Sequence, residues 1–172
     1  MGHVTQDKLQ IINAFVEFEK LINDLVMSLL EPSVADALAV HFNQNPGVDI
    51  HSSEIASDVA SKIRSTLKPE AIEEDYDFFI ALLNHVNLLK PIVEQIVNMI
   101  NIISREPAAK NTLGDAYVSL IKNFASMYYI SLCTIIALHE GDEGPEAQKV
   151  YEYAVERIKQ LSGPWRIDKP CV

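Results

Sequence analysis

Apolar residues recur along most of the chain at intervals of three and four. In the first segment, about residues 5–30, the recurring apolar residues are Ile11, Phe15, Phe18, Ile22, Leu25 and Leu29. This spacing places a single apolar stripe along one side of a helix. The many Val and Ile residues also fall at helical spacing and not in the alternation typical of a half-buried strand. The pattern therefore predicts an all-α protein.

The two longest apolar segments cover about residues 70–104 and 112–139. The stripe of the first consists of Phe79, Leu82, Val86, Leu89, Val93, Ile96, Ile100 and Ile103. The second is apolar almost all round, which is typical of a helix at the centre of a bundle or against a partner. We expect a single-domain bundle of about six helices over residues 1–172, with these two helices at its centre. Residues 163–172 form a C-terminal tail, whose Trp165 is expected to pack back onto the bundle.

The stretch HSSEIASDVASKIRSTLKP, residues 51–69, resembles a helix-turn-helix unit. Such a unit needs a sharp break near Ala60, and Pro69 stands where its second helix should still be running. The net charge of −10 would moreover repel a phosphate backbone. We therefore expect one amphipathic helix here and no binding to nucleic acid.

The two cysteines, Cys133 and Cys171, allow at most one disulfide bond. Cys133 lies inside a long apolar run and Cys171 is next to last, so we expect no structural disulfide and a reducing, cytoplasmic environment. No signal peptide is evident at the start of the chain. Residues 124–138 contain no charged side chain but are short for a membrane span, so membrane association is not expected.

No motif of known chemistry is evident in the chain. His139-Glu140 begins like a zinc-protease motif, but Glu143 occupies the position of the second histidine. Cys133 is a weak nucleophile candidate, because apolar surroundings raise the pKa of a thiol. We therefore expect no enzyme, no catalytic residue, no metal and no cofactor.

One histidine has the position of a ligand-binding residue. His85 flanks the apolar stripe between Leu82 and Leu89, where an imidazole can grip a ligand or ligate haem, as in a globin. Tyr128 and Tyr129 on the other long helix are candidates for the same site. The alternative is a structural histidine with a hydrogen-bond partner.

The opposite face of the same helix is polar but poor in charge. It carries Asn84, Asn87, Glu94, Asn98 and Asn101. Such a face is unusual in open solvent, so we expect it to be covered by another helix, a second subunit or a ligand.

These observations favour a non-enzymatic binding protein that self-associates, as a dimer, and also binds a protein partner. One alternative is a globin-like sensor or carrier that encloses an apolar small molecule or a tetrapyrrole near His85. Further alternatives are a metal-dependent helical enzyme and a membrane-associating protein with a central hairpin over residues 78–138.

Overall fold

The computed structural model describes residues 6–36, 52–66, 76–167 and 169–172. These residues form α1 (Gln6–Leu29), α2 (Ser52–Thr66), α3 (Tyr76–Arg105), α4 (Ala109–Leu138) and α5 (Pro145–Ser162). Residues 32–36 are helical as well, and no strand occurs in the described part of the chain. The all-α prediction is therefore confirmed. The predicted start of the long helix at residue 70 lies outside the described residues.

Four helices form a closed ring in the order α1, α3, α4, α5, and α2 packs on the outside of α4. α1 runs parallel to α3, since the Lys8 ammonium lies over the Phe79 ring while Glu19, further along α1, faces His85. α4 runs in the opposite direction to α3. The contact between α1 and α5 is the least extensive of the ring, which leaves space between these two helices.

The two long apolar helices lie at the centre of the bundle, as predicted. α3 and α4 have 30 residues each, whereas α1 has 24 and α5 has 18. The ends of α3 and α4 therefore extend past the other helices. Described side chains of residues 97–120 are all exposed or half-buried. Ile100 and Ile103 belong to the predicted stripe but are not buried, because none of the described helices covers this end.

α2 is one continuous helix through Ala60, which confirms the prediction of a helix and not a helix-turn-helix. Ile55, Val59 and Ile63 recur every four residues along this helix, but none of them is fully buried. Ala56 and Ala60 are 2% exposed, whereas Ile55 and Val59 remain 39% and 37% exposed. Small side chains let α2 approach α4 closely, so the larger residues lie at the edges of the contact.

The last helix begins at a proline and ends just before the predicted tail. Pro145 is the first residue of α5, where its missing N–H costs no hydrogen bond. Gly144 before it has a φ of 108°, which L side chains rarely adopt. After Gly163 the chain turns, and Trp165 is buried with 1% exposure, as expected.

A disulfide bond joins Cys133 of α4 to Cys171 of the tail. The expectation of two unpaired cysteines is therefore wrong. The tail folds back along α4 after α5, which brings two residues 38 positions apart to a Cα–Cα distance of 5.9 Å. Disulfides are typical of oxidising compartments, whereas the cytoplasmic location stays a prediction from the sequence.

Candidate functional site

A buried carboxylate lies where α1 meets α3 and α4. Glu19 is only 4% exposed and follows the core residues Phe15 and Phe18 on α1. Its Oε1 accepts a hydrogen bond of 2.6 Å from the hydroxyl of Tyr128. Its Oε2 lies 3.4 Å from Nε2 of His85. A carboxylate is costly to bury unless donors or cations compensate, so these two side chains stabilise Glu19 and fix its position.

His85 is completely buried among aromatic rings. The centre of its ring lies 5.0 Å from that of Phe15 and 5.6 Å from that of Tyr128. Nδ1 lies 2.8 Å from Oγ of Ser131, and Nε2 faces Glu19. Both ring nitrogens therefore have polar partners, and a haem iron could bind one only by displacing Ser131 or Glu19.

A second polar group adjoins the first on α5. Nη2 of Arg157 donates hydrogen bonds of 2.7 Å to the Tyr153 hydroxyl and to Oδ1 of Asn23. The guanidinium also lies over the Tyr153 ring, 5.3 Å from its centre. Burial, and after it the charge of Glu19, raises the pKa of Tyr153. The same two causes raise the pKa of Tyr128 well above its ordinary value. Both tyrosines therefore stay protonated and able to donate hydrogen bonds at neutral pH.

A cavity of about 490 Å³ opens between α1 and α5 beside these polar groups. Its lining consists of Ile12, Phe15, Val16, Glu19, Lys20, Asn23, Glu146, Lys149, Val150 and Tyr153. Glu19 is the one buried charged residue of this lining, since Lys20, Glu146 and Lys149 are exposed. Small-molecule sites have volumes of about 300–1,000 Å³ and are mostly apolar with a few polar groups. The cavity has both properties.

The structure separates the three residues of the predicted ligand site. His85 and Tyr128 both contact Glu19, but neither lines the cavity, from which Glu19 and Phe15 separate them. Tyr129 lies on another side of α4, where its hydroxyl is 2.9 Å from Oγ of Ser162. The ligand-binding role of these three residues stays a prediction.

The sequence analysis missed Glu19, Tyr153 and Arg157. A signal was present in the chain for two of them. Glu19 stands four residues after Phe15, and Arg157 stands three residues after Ala154, so both fall within the apolar stripes of their helices. A charged residue that falls in the three- and four-residue spacing of an apolar stripe indicates a buried polar network. Tyr153 carried no comparable sign.

The predicted interaction face is fully accessible within the chain. Its five residues, Asn84, Asn87, Glu94, Asn98 and Asn101, are all exposed on α3. Large apolar side chains lie beside them: Leu83 is 41% exposed, Leu88 56%, Val97 45% and Ile102 45%. No described helix of this chain covers the face.

Among the described residues, no group of three or more His, Cys, Asp or Glu side chains could hold a metal ion. The turn after α4 is closed by Glu143, which accepts hydrogen bonds from the backbone N–H groups of Glu140 and Gly141. Nε2 of His139 lies 3.2 Å from the same carboxylate. Cys133 forms a disulfide bond with Cys171, so it has no free thiol that could act as a nucleophile.

Two helices within the described residues are long and apolar enough to cross a membrane by length and composition. They are α3 and the Gly114–Leu138 part of α4. Half of the most apolar window of α4 is buried inside the bundle, as in the core helix of a soluble protein, whereas 17% of the α3 window is buried.

Comparison of the chain with protein-family models, curated proteins and solved structures found no match.

Proposed function

We propose that this protein is a non-enzymatic binding protein that holds a small, largely apolar molecule between α1 and α5. The cavity of about 490 Å³ is the single observation that supports this function most directly. The proposal keeps the carrier alternative of the sequence analysis but moves its site from His85 to the other side of Glu19. Both nitrogens of His85 have partners, so the proposed ligand is organic and not a haem.

The apolar residues of the cavity lining favour the binding of a largely apolar ligand. Phe15 is a core residue at 1% exposure, and Ile12 and Val150 are buried as well. Burying apolar ligand surface against them contributes about 25 cal/mol per Å². Because α1 and α5 make their own contact at the Arg157 end through Asn23, the site exists without a rearrangement of the helices.

Binding of Nile red, an uncharged apolar dye, tests the proposal. Val16 lines the cavity and is 39% exposed, so Val16→Trp fills the space from its open side. We expect this substitution to weaken dye binding by about tenfold or more, equivalent to about 1.4 kcal/mol. Leu21→Trp is the matched control, because Leu21 lies on the same helix outside the lining and is 75% exposed.

Native mass spectrometry of the purified protein complements the dye experiment. A small molecule retained by the wild type and lost in Val16→Trp supports the proposal. Equal dye binding by both variants and the wild type, together with a chain that carries no retained molecule, contradicts it.

A second candidate function is self-association through the outer face of α3, which bears Leu83, Leu88, Val97, Ile102 and the five polar residues above. Its supporting observation is the exposure of these four apolar side chains. Large exposed apolar side chains are typical of protein interfaces, and here they lie on both sides of the polar residues. A dimer would pair this face with its copy, since two-fold interfaces use the same patch on both subunits.

Sedimentation velocity over a range of concentrations tests self-association. We expect a dimer for the wild type and a monomer for Val97→Arg, which places a charge in the middle of the face. Leu21→Arg on α1 is the control and should remain dimeric. A wild-type chain that sediments as a monomer at every concentration contradicts this candidate.

A further inference from the structure

The charge distribution inside the cavity indicates which head group a ligand carries. Glu19 lies inside at 4% exposure, whereas Lys20, Glu146 and Lys149 lie at the solvent-exposed rim. Exposed charges are well solvated, and their ion pairs contribute only about 0–1 kcal/mol. A buried charge is poorly solvated and interacts more strongly with a ligand. The carboxylate of Glu19 therefore dominates recognition at the inner end.

Tyr128 and His85 contact Glu19 from the side away from the cavity. Among the described contacts, no lysine or arginine forms an ion pair with Glu19. The described ion pairs give it one partner, the His85 imidazole at 3.4 Å, which carries a charge only when protonated. The Arg157 guanidinium donates to the Tyr153 hydroxyl and to Asn23. Burial lowers the pKa of Arg157, whereas the charges of the neighbouring tyrosines and of Glu19 raise it, so Arg157 attracts Glu19 without forming an ion pair with it. A buried carboxylate is costly unless hydrogen bonds and a cation compensate its charge. An incoming cation could supply the compensating charge from the cavity side.

Two aromatic side chains stand beside the carboxylate. Phe15 and Tyr153 both line the cavity, and their ring centres lie 6.1 Å apart in an edge-to-face arrangement. Aromatic faces attract cations, and more strongly where water is excluded. An ammonium group next to Glu19 would therefore meet a carboxylate and aromatic rings together, while a carboxylate ligand would meet like charge.

We infer that the cavity recognises a protonated amine with an apolar body, whose ammonium pairs with Glu19 and whose body packs against Ile12, Val16 and Val150. This inference rests on the proposed function and specifies its ligand class. Tyr128 and His85 act as positioning residues that fix the carboxylate from the opposite side.

Three probes with the same apolar body and different head groups test the inference. They are 4-phenylbutylamine, 4-phenylbutan-1-ol and 4-phenylbutyrate, each measured by displacement of Nile red and by calorimetry near pH 7. We expect the amine to bind about ten to a hundred times more tightly than the alcohol, equivalent to about 1.4–2.8 kcal/mol, because only the amine places a positive charge against the buried carboxylate. The carboxylate should bind more weakly than the alcohol.

Glu19→Gln removes the charge and keeps the shape and the acceptor for Tyr128. It should reduce amine binding to about the level of alcohol binding in the same variant. Glu17→Gln is the matched control, since Glu17 is exposed on the same helix and does not line the cavity. The comparison of the three probes on the wild type decides the question even if Glu19→Gln fails to fold.

The possible outcomes separate the two proposals. If the alcohol or the carboxylate binds as tightly as the amine, and Val16→Trp weakens all three, the cavity binds ligands but the amine inference is wrong. If no probe displaces the dye and Val16→Trp changes nothing, the proposed function itself fails.

Discussion

The hydroxyl of Tyr128 donates a hydrogen bond of 2.6 Å to the carboxylate of Glu19, which lies 109 residues earlier in the chain. This contact joins α1 to α4 across the interior of the bundle. Both side chains are buried, and on the other side of Glu19 lies the cavity. The strength of the contact therefore affects both the stability of the fold and the position of the carboxylate at the site.

Removal of this donor should destabilise the protein. Tyr128→Phe leaves Oε1 of Glu19 without its hydrogen bond, so we expect the free energy of unfolding to fall by about 1–3 kcal/mol. Urea denaturation followed by circular dichroism measures the change. Tyr76→Phe serves as the control, because Tyr76 is 41% exposed, and should change stability by no more than about 0.5 kcal/mol. Equal effects of the two substitutions would contradict the structural role of Tyr128.

Tyr128 should also make the free energy of unfolding depend on pH in the alkaline range. Burial, and after it the charge of Glu19, raises the pKa of Tyr128 well above its ordinary value. The folded protein holds the Tyr128 proton more tightly than the unfolded chain does. The contribution of protonated Tyr128 to the free energy of unfolding is therefore complete below about pH 10 and is lost as the pH rises further. Between about pH 10 and 11.5 the wild type should therefore lose stability faster than Tyr128→Phe, by up to about 1.4 kcal/mol per pH unit. Parallel stability curves from urea denaturation would show that this pKa is not raised.

The disulfide bond should stabilise the fold. Cys171→Ser releases a crosslink between residues 38 positions apart, and we expect the free energy of unfolding to fall by about 2–4 kcal/mol. Thermal unfolding with and without dithiothreitol measures this effect, and the variant should not respond to the reductant. Two reactive thiols in freshly purified, unreduced wild-type protein would overturn the assignment.

Two adjacent leucines of α3 should differ sharply in how much they contribute to the free energy of unfolding. Leu82 is completely buried between the helices, whereas Leu83 is 41% exposed on the outer face. Leu82→Ala should lower the free energy of unfolding by about 2–5 kcal/mol because it leaves a cavity in the core. Leu83→Ala should change it by about 0.5 kcal/mol in a monomeric chain. Chemical denaturation of both variants provides the comparison, and similar losses would mean that the helix has a different orientation.

Local sequence patterns predicted the helices well, because each helix repeats its apolar residues every three or four positions whatever its neighbours are. The stripe of α3 is correct from Phe79 to Ile96 and fails at Ile100 and Ile103. The failure has a geometric cause, since α1 ends before it can cover that end of α3. In α2, the close approach of α4 determined that the alanines are buried and that the larger apolar residues are not.

The candidate site could be predicted only in part. His85 and Tyr128 stood out as polar side chains near an apolar stripe, where the sequence suggested a ligand site. Their partner Glu19 was overlooked, since a single carboxylate on a long helix is common and only the packing shows that it is buried. The cavity has no sequence signature, because it is the space left where α1 and α5 make little contact.

The all-α class, the central pair of long helices and the burial of Trp165 follow from local periodicity and hydrophobicity, so they could be predicted from the amino-acid sequence. The pairing of Cys133 with Cys171, the contact of Glu19 with Tyr128 and the position of the cavity became evident only from the packed helices. These features join residues far apart in the chain, and their distances depend on how the helices cross and not on the local pattern of any one segment.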